Sequence, residues 1–163
     1  MGKMSKKILA GLLAVVLVLG GILLYNLQMN KSFITTFYSV TVDKPVEDLR
    51  IVLMSDLHLH EYGEDNADLV RKIQNIAPDL IAVAGDMNID TDTDYHVVLD
   101  LMHQLVDIAP VYYAPGNHEW AGRYAGGSDA LFDDIQATGV HWLNGSYEDV
   151  EFKGRKLRIG GFF

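Results

Sequence analysis

Residues 49–60 read LRIVLMSDLHLH, an apolar run that is followed at once by polar residues. The run Leu49–Met54 is suited to a strand that is buried on both faces. Similar short apolar runs recur at Leu80–Ala84 and Val111–Ala114, and segments with helical spacing lie between them. This alternation of strands and helices predicts an α/β layered domain with a largely parallel sheet.

The other elements are predicted from apolar spacing and turn residues. The predicted helices are Asp65–Ile76, Asp94–Ile108 and Ser128–Thr138, the last with Ser128 as its N-cap and Gly139 just past its end. The other predicted strands are Phe37–Val42, Val140–Leu143, and a hairpin of Tyr147–Phe152 with Lys156–Ile159. The domain is therefore expected over residues 31–163.

Three polar clusters directly follow the first three buried strands. They are Asp56-Leu57-His58, Gly85-Asp86 and Gly116-Asn117-His118-Glu119. Successive clusters are 30 and 31 residues apart, and one βαβ unit takes about that length. The clusters should therefore meet on one rim of the sheet, where open α/β sheets bind ligands. The glycines would let the backbone turn sharply and approach the site.

The residue types in these clusters suit metal binding. On an extended backbone, Asp56 and His58 would face the same way and could hold one metal ion together. Asp86 has two carboxylate oxygens and could bridge two ions, and Asn117 offers a neutral oxygen to the second. Mixed Asp, His and Asn ligands suit Mn, Fe or Zn.

The three clusters, in this order and at this spacing, resemble the first three signatures of the calcineurin-like metallophosphoesterases. The segment Ser55–Leu59 is typical of the membrane-associated bacterial members, and the resemblance covers about Phe37 to Phe163. It implies a layered α-β-β-α sandwich and an enzyme that hydrolyses a phosphoester or pyrophosphate bond with two divalent metal ions. It also implies roles for individual residues: Asp56, His58 and Asp86 would bind one metal, Asp86 and Asn117 the second, and His118 would act near the leaving group, with Asn117 and His118 contacting the substrate.

The sequence departs from this family pattern downstream. The family adds one more metal-binding histidine and then a Gly-His-x-His motif, whereas the only histidine after Glu119 is His141. The chain also ends on two aromatic residues directly after a predicted strand. We therefore expect an incomplete domain, cut from a longer protein, with weak metal affinity and little or no turnover, so that this chain alone would be inactive.

The N-terminal segment is apolar enough for a membrane anchor. No charged residue occurs from Ile8 to Leu27, and a helix of that length rises about 30 Å, the thickness of a bilayer's hydrocarbon core. Lys3, Lys6 and Lys7 precede the run, which predicts a cytoplasmic N-terminus and an extracytoplasmic domain after residue 30. A cleaved signal peptide is the competing interpretation, but no small-x-small cleavage site follows the run.

Charge and composition narrow the partners. The first 31 residues hold four lysines and no acid, so the remainder carries nine basic and 22 acidic side chains, a net charge of −13. Such a domain should repel nucleic acid. The resemblance to the metallophosphoesterases implies a phosphorylated small molecule or lipid as the substrate. The chain has no cysteine, which excludes disulfides, Cys-ligated metals and Cys nucleophiles.

Simpler interpretations remain for single residues. Asp56 and Asp86 could cap the helices that follow their strands, and the acidic run Asp90, Asp92 and Asp94 reads as a solvated loop and helix start. Glu119 is expected to be a structural hydrogen-bonding residue. The remaining side chains are expected on the surface, in satisfied pairs or in ordinary packing: His60, His96, His103, His141, Trp120 and Tyr124.

The sequence is also compatible with functions outside phosphoester hydrolysis. His58-Leu59-His60 is similar to the opening of an amidohydrolase barrel, but that fold needs about 250 residues. A scaffold module that has lost catalytic histidines is a second possibility. A membrane-anchored metal-binding domain without hydrolytic activity is a third.

Overall fold

The computed structural model describes residues 5–29, 31–43, 48–90, 94–126 and 129–162. The chain forms two compact units, Met1–Tyr38 and Ser39–Phe163. The first unit contains one helix, α1 (Lys6–Met29), whose described side chains are almost all exposed. By length and composition, its segment Lys6–Asn26 is sufficient to cross a membrane.

The second unit alternates strands and helices, with a short 3-10 turn at Glu64–Asn66. Its elements in chain order are β1 (Ile51–Met54), α2 (Ala67–Ile76), β2 (Leu80–Val83), α3 (His96–Val106), β3 (Val111–Tyr113), α4 (Asn117–Gly126), α5 (Ala130–Ala137), β4 (His141–Trp142), β5 (Ser146–Phe152) and β6 (Arg155–Gly161).

Strands β1 to β4 form one parallel sheet in the order of the chain, β1-β2-β3-β4. This confirms the predicted α/β fold with a parallel sheet. The last residues of the four strands, Met54, Val83, Tyr113 and Trp142, lie in one row across the sheet. The loops that follow therefore leave the sheet at the same level.

The two faces of the sheet are covered by different elements. Helices α2, α3 and α5 bury one face, where alternate strand residues such as Ile81, Val83 and Tyr113 join the main core. The antiparallel hairpin β5-β6 contributes to a smaller apolar cluster built on Leu80 and Tyr112. The domain is therefore layered as helices, parallel sheet and hairpin.

Strand β1 is only partly buried, on the face of Val52 and Met54, which corrects the expectation of burial on both faces. Ile51 is 52% exposed and Leu53 is 72% exposed. The reason is position: β1 is an edge strand, and the cluster under the hairpin is built on β2 and β3 instead.

The predicted strand Phe37–Val42 is wrong. These residues have no strand pairing within the described part of the chain, and Tyr38 and Val40 are more than four-fifths exposed. Alternating apolar residues favour a strand only where a neighbouring strand supplies hydrogen bonds and a surface to cover.

The sequence also failed to indicate helix α4, because its residues are mostly small or polar and show no clear apolar period. The predicted N-cap Ser128 lies outside the described residues, and α5 begins after Asp129. Gly139 follows α5 with a φ of +95°, as expected for a glycine that ends a helix. The remaining predicted helices and strands are confirmed, with ends that differ by a few residues.

Candidate metal centre

The loops that follow β1 and β2 are joined by backbone hydrogen bonds. Asp56 donates its N–H to the carbonyl of Gly85 over 3.1 Å, and His58 donates to the carbonyl of Asp86 over 3.1 Å. Leu59 donates to the carbonyl of Met87 over 2.9 Å. Because the bonds are successive, the position of the second loop fixes that of the first.

The loops that follow β2 and β3 touch through two glycines. Gly85 has a φ of +71°, and a Cβ on it would lie 2.1 Å from the Gly116 nitrogen. A Cβ on Gly116 would lie 2.3 Å from the Oδ1 atom of Asp86. No side chain fits at either position, so both glycines permit the close backbone approach that was predicted.

The first two loops have left-handed backbone. Asp56, His58 and Asp86 have φ values of +56°, +49° and +55°, each costing about 1–2 kcal/mol for a residue with a Cβ. The predicted extended backbone at Asp56 and His58 is therefore wrong. Their side chains still meet, with His58 Nε2 3.8 Å from Asp56 Oδ1.

One side chain from each loop converges at the rim. His58, Asp86 and His118 each place a ligand atom within 4.8 Å of the others. The imidazole rings of His58 and His118 meet edge to face, with centroids 4.6 Å apart. Two imidazole nitrogens and a carboxylate are the donors that borderline cations such as Mn, Fe and Zn favour, so this cluster is a candidate metal centre.

The other two residues expected to bind metal border this cluster. Asp56 is largely exposed beside His58. Asn117 is the first residue of α4 and is exposed. Both therefore remain accessible to an ion from solvent.

His118 is held at both its backbone and its ring. Its N–H donates to Asp86 Oδ1 over 2.9 Å, and its Nδ1 atom contacts the carboxylate of Asp90. Sequence analysis missed this pairing with Asp90, because 28 residues separate the two side chains. Asp92 lies outside the described residues, and Asp94 pairs with His96 at the surface.

Glu119 is completely buried, and its carboxylate accepts five hydrogen bonds of 2.7–3.2 Å. The donors are the backbone N–H groups of Asp86, Met87, Asn88 and Gly116 and the hydroxyl of Tyr113. This confirms the predicted structural role. Burial, followed by the charge and the hydrogen bond of Glu119, raises the pKa of Tyr113 well above its usual range, so its hydroxyl remains a donor.

A family model for calcineurin-like phosphoesterases matches residues 49–158, the segment that contains all three loops. This chain belongs to the calcineurin-like phosphoesterase family. The resemblance seen in the motifs is thereby confirmed, and the family implies hydrolase activity.

Two curated proteins named as metallophosphoesterases are similar to this chain. A Caenorhabditis elegans protein whose name assigns it to the metallophosphoesterases is 28% identical over 116 residues, which is 70% of this chain and 23% of that protein. A Danio rerio protein named transmembrane protein with metallophosphoesterase domain is 26% identical over 120 residues, 68% of this chain and 27% of that protein. This chain thus spans about a quarter of the length of either relative.

The structure of this phosphoesterase domain does not support helix capping by Asp56 and Asp86, nor an amidohydrolase barrel. Neither Asp56 nor Asp86 caps a helix, because Asn66 and Tyr95 are the N-caps of α2 and α3. The sheet order differs from an amidohydrolase barrel, since the four parallel strands form an open sheet.

The remaining histidines of the phosphoesterase domain behave as predicted. His60 is exposed with its ring against Tyr62, and His103 is exposed on α3. His141 pairs with Glu148 over 2.8 Å. None of these three belongs to the described metal cluster.

Trp120 of α4 packs against neighbouring side chains, whereas Tyr124 is 75% exposed. Trp120 stacks on Tyr124 at 5.9 Å between ring centroids and meets the edge of Phe132 at 5.1 Å. Arg123 lies over the Trp120 ring at 5.0 Å. Ordinary packing therefore accounts for Trp120, as the simpler interpretation expects.

Proposed function

We propose that this domain hydrolyses phosphoester or pyrophosphate bonds with two divalent metal ions, of which Mn, Fe and Zn fit the donors. The observation that carries the proposal is the convergence of His58, Asp86 and His118 within 4.8 Å in a chain of the calcineurin-like phosphoesterase family. Of these three side chains, His58 and Asp86 would bind metal, and His118 would lie close enough to act on a substrate bound there.

The first ion would be held by Asp56, His58 and Asp86, and the second by Asp86 and Asn117. Support comes from Asp86, which is half-buried between the two neighbouring loops and has a second carboxylate oxygen beyond the one that His118 N–H occupies. When bound, the ions would supply Lewis-acid chemistry, polarising a water molecule and the phosphoryl oxygens.

His118 would serve as the general acid. The Asp90 carboxylate holds its Nδ1 atom, so the ring is oriented and Nε2 remains the atom that can give a proton to the leaving oxygen. Asn117 and His118 would also contact the bound phosphoryl group. In this proposal, Asp90 orients the imidazole ring and His118 transfers the proton.

Residues 1–163 alone are proposed to turn over slowly. Two ions with at least four ligands each need more donors than Asp56, His58, Asp86 and Asn117 supply. The later histidine, His141, is already paired with Glu148.

Helix α1 is proposed to tether the domain to the cell membrane as a single span, with the N-terminus in the cytoplasm and the domain outside. Lysines precede the apolar segment, which favours this orientation. The name of the Danio rerio relative describes a transmembrane protein. The substrate would be a phosphorylated small molecule or lipid, and the acidic domain disfavours nucleic acid.

A non-catalytic metal-binding or scaffold module is the second candidate. The small number of ligands in the described cluster favours it.

The two candidates are separated by measuring Mn²⁺ binding and hydrolysis of nitrophenyl phosphate mono- and diesters by the purified chain in detergent. Wild type should bind Mn²⁺ and hydrolyse an ester slowly, and Asp86→Asn should lose both. If wild type binds Mn²⁺ but shows no hydrolysis that is lost in Asp86→Asn, the result would support the scaffold. Equal Mn²⁺ binding by wild type and Asp86→Asn would contradict both, and a rate near about 10 s⁻¹, ordinary for enzymes, would contradict slow turnover.

A further inference from the structure

Glu119 lies beneath the candidate metal centre without belonging to the proposed ligand set. It is the third residue of α4, and its side chain is 0% exposed. A carboxylate is costly to bury unless hydrogen bonds compensate for the lost water. Here five donors surround it, enough to occupy all of the about four lone-pair sites of two carboxylate oxygens.

The donors of Glu119 belong to the loops that carry the site. Oε2 accepts from the N–H of Asp86 at 2.9 Å and from that of Gly116 at 2.7 Å. Oε1 accepts from the N–H groups of Met87 and Asn88 at 2.8 and 3.2 Å. One side chain therefore joins the loop after β2 to the turn after β3.

The influence of Glu119 extends to the first loop through the second. The carbonyls of Asp86 and Met87 accept the N–H groups of His58 and Leu59. The same peptide segment thus bonds to Glu119 on its N–H side and to the first loop on its C=O side. A shift of this segment would move Asp86 and His58 together.

We propose that Glu119 is a positioning residue, a buried acceptor that sets the relative placement of His58 and Asp86 and so the affinity of the metal centre. Its carboxylate has two acceptor oxygens that each receive at least two donors. A glutamine would present one NH₂ group to a pair of N–H donors, which breaks the hydrogen bonds on that side while preserving side-chain volume. The inference rests on the proposed metal site, but its first test uses no metal.

The first test is amide hydrogen exchange by NMR on the metal-free full chain in detergent. In wild type, the amides of Met87, Asn88 and Gly116 should be protected, although none of them belongs to a strand ladder. In Glu119→Gln, the amides on one side of the carboxylate should lose about 10-fold or more of their protection. The amides of His58 and Leu59 should lose protection with them.

Asp79→Asn is the matched control, because Asp79 also accepts a backbone N–H, that of Arg50 at 2.8 Å. It precedes β2 and lies at the amino end of the sheet. Its substitution should leave the exchange of the site loops unchanged.

The second test is Mn²⁺ affinity, measured by electron paramagnetic resonance on the folded variants. Glu119→Gln should weaken Mn²⁺ binding about 10- to 100-fold, the usual effect of losing a group that orients metal ligands. Asp79→Asn should keep the wild-type affinity even if it lowers the unfolding midpoint. A role in stability alone would lower the midpoint of Glu119→Gln without changing its affinity.

The outcomes separate the two proposals. Unprotected amides at Met87, Asn88 and Gly116 in wild type would overturn the positioning role, and this measurement does not need a folded variant. Unchanged exchange and affinity in Glu119→Gln would overturn it as well. Loss of loop protection in Glu119→Gln, combined with no Mn²⁺ binding by wild type, would support the positioning of the loops and contradict only the proposed metal function.

Discussion

His118 donates its backbone N–H to the Oδ1 atom of Asp86 over 2.9 Å, across 32 positions of the sequence. The bond comes from the first turn of α4, so the helix itself orients the carboxylate that is proposed to bridge two ions. It does not depend on the His118 side chain. The ring of His118 can therefore be replaced while the carboxylate keeps its backbone partner.

This arrangement predicts different effects for the two histidines of the cluster. His58→Asn should weaken Mn²⁺ binding about 10- to 100-fold, because a proposed ligand is lost. His118→Asn should keep the wild-type affinity within about 3-fold, since its proposed role is to move a proton rather than to bind metal. The measurement is Mn²⁺ titration followed by electron paramagnetic resonance.

Equal losses of affinity in the two variants would contradict the proposed roles and would make His118 a ligand. His103→Asn is a matched control, because His103 is exposed on α3. It should bind Mn²⁺ as wild type does.

Because the second and third loops touch through Gly85 and Gly116, we expect even an alanine at position 85 to destabilise the domain strongly. Gly85→Ala places a methyl group 2.1 Å from the Gly116 nitrogen, at a φ that also disfavours alanine. We expect the free energy of unfolding to fall by about 2–4 kcal/mol, as measured by urea denaturation.

Gly122→Ala is the matched control for the glycine contact. Gly122 lies within α4, and its Cβ would meet its nearest neighbours at 3.7 Å, an ordinary contact. Alanine should leave the stability unchanged or raise it by up to about 1 kcal/mol. Equal stability of the two alanine variants would contradict the close packing of the loops.

The meeting of the three polar clusters at one rim was predictable from sequence, because each cluster follows an apolar run that forms a parallel strand. The row of Met54, Val83 and Tyr113 then brings the clusters to one level. Such a prediction needs only the spacing of residues along the chain. It does not need the conformation of the loops.

The details that sequence analysis missed depend on contacts between distant residues. The left-handed backbone of His58 is held by its bond to Asp86, and Asp90 contacts His118 across 28 positions. The wrong strand at Phe37–Val42 has the same origin, since alternation along a chain does not reveal whether a neighbouring strand is present.

The ionisation of Asp79 should make the stability of the domain depend on pH. The hydrogen bond from the Arg50 N–H, and then the one from Lys153, lower the pKa of Asp79 below its ordinary value of 3.8. Stability from an ionised partner of this kind is present above pH 3.8 and is lost as the pH falls through the lower pKa of the folded state.

Asp79→Asn should therefore have a lower urea midpoint than wild type at about pH 7. Below about pH 3, where Asp79 of the wild type becomes protonated, the two midpoints should lie closer together. The measurement is urea denaturation at both pH values. A difference that grows on acidification would contradict this ionised contact.

If helix α1 spans the membrane, the chain should behave as an integral membrane protein. In cells, the chain should resist alkaline extraction from membranes. The double variant Val16→Arg/Leu17→Arg should be extracted, because each charge at the centre of a span costs about 2.5–3.5 kcal/mol. Ser5→Arg, just before the helix, should remain attached, and extraction of wild type would contradict the span.

We propose that three successive strand ends place His58, Asp86 and Asn117 around shared cations. The most direct measurement is an NMR titration of the full chain in detergent with substoichiometric Mn²⁺, which broadens resonances near the bound ion. The amides of residues 56–59, 85–88 and 116–118 should broaden together and before all others, and Asp86→Asn should abolish this broadening. Broadening that begins at the acidic surface and spares these loops, or that persists unchanged in Asp86→Asn, would contradict the proposed placement of the cations.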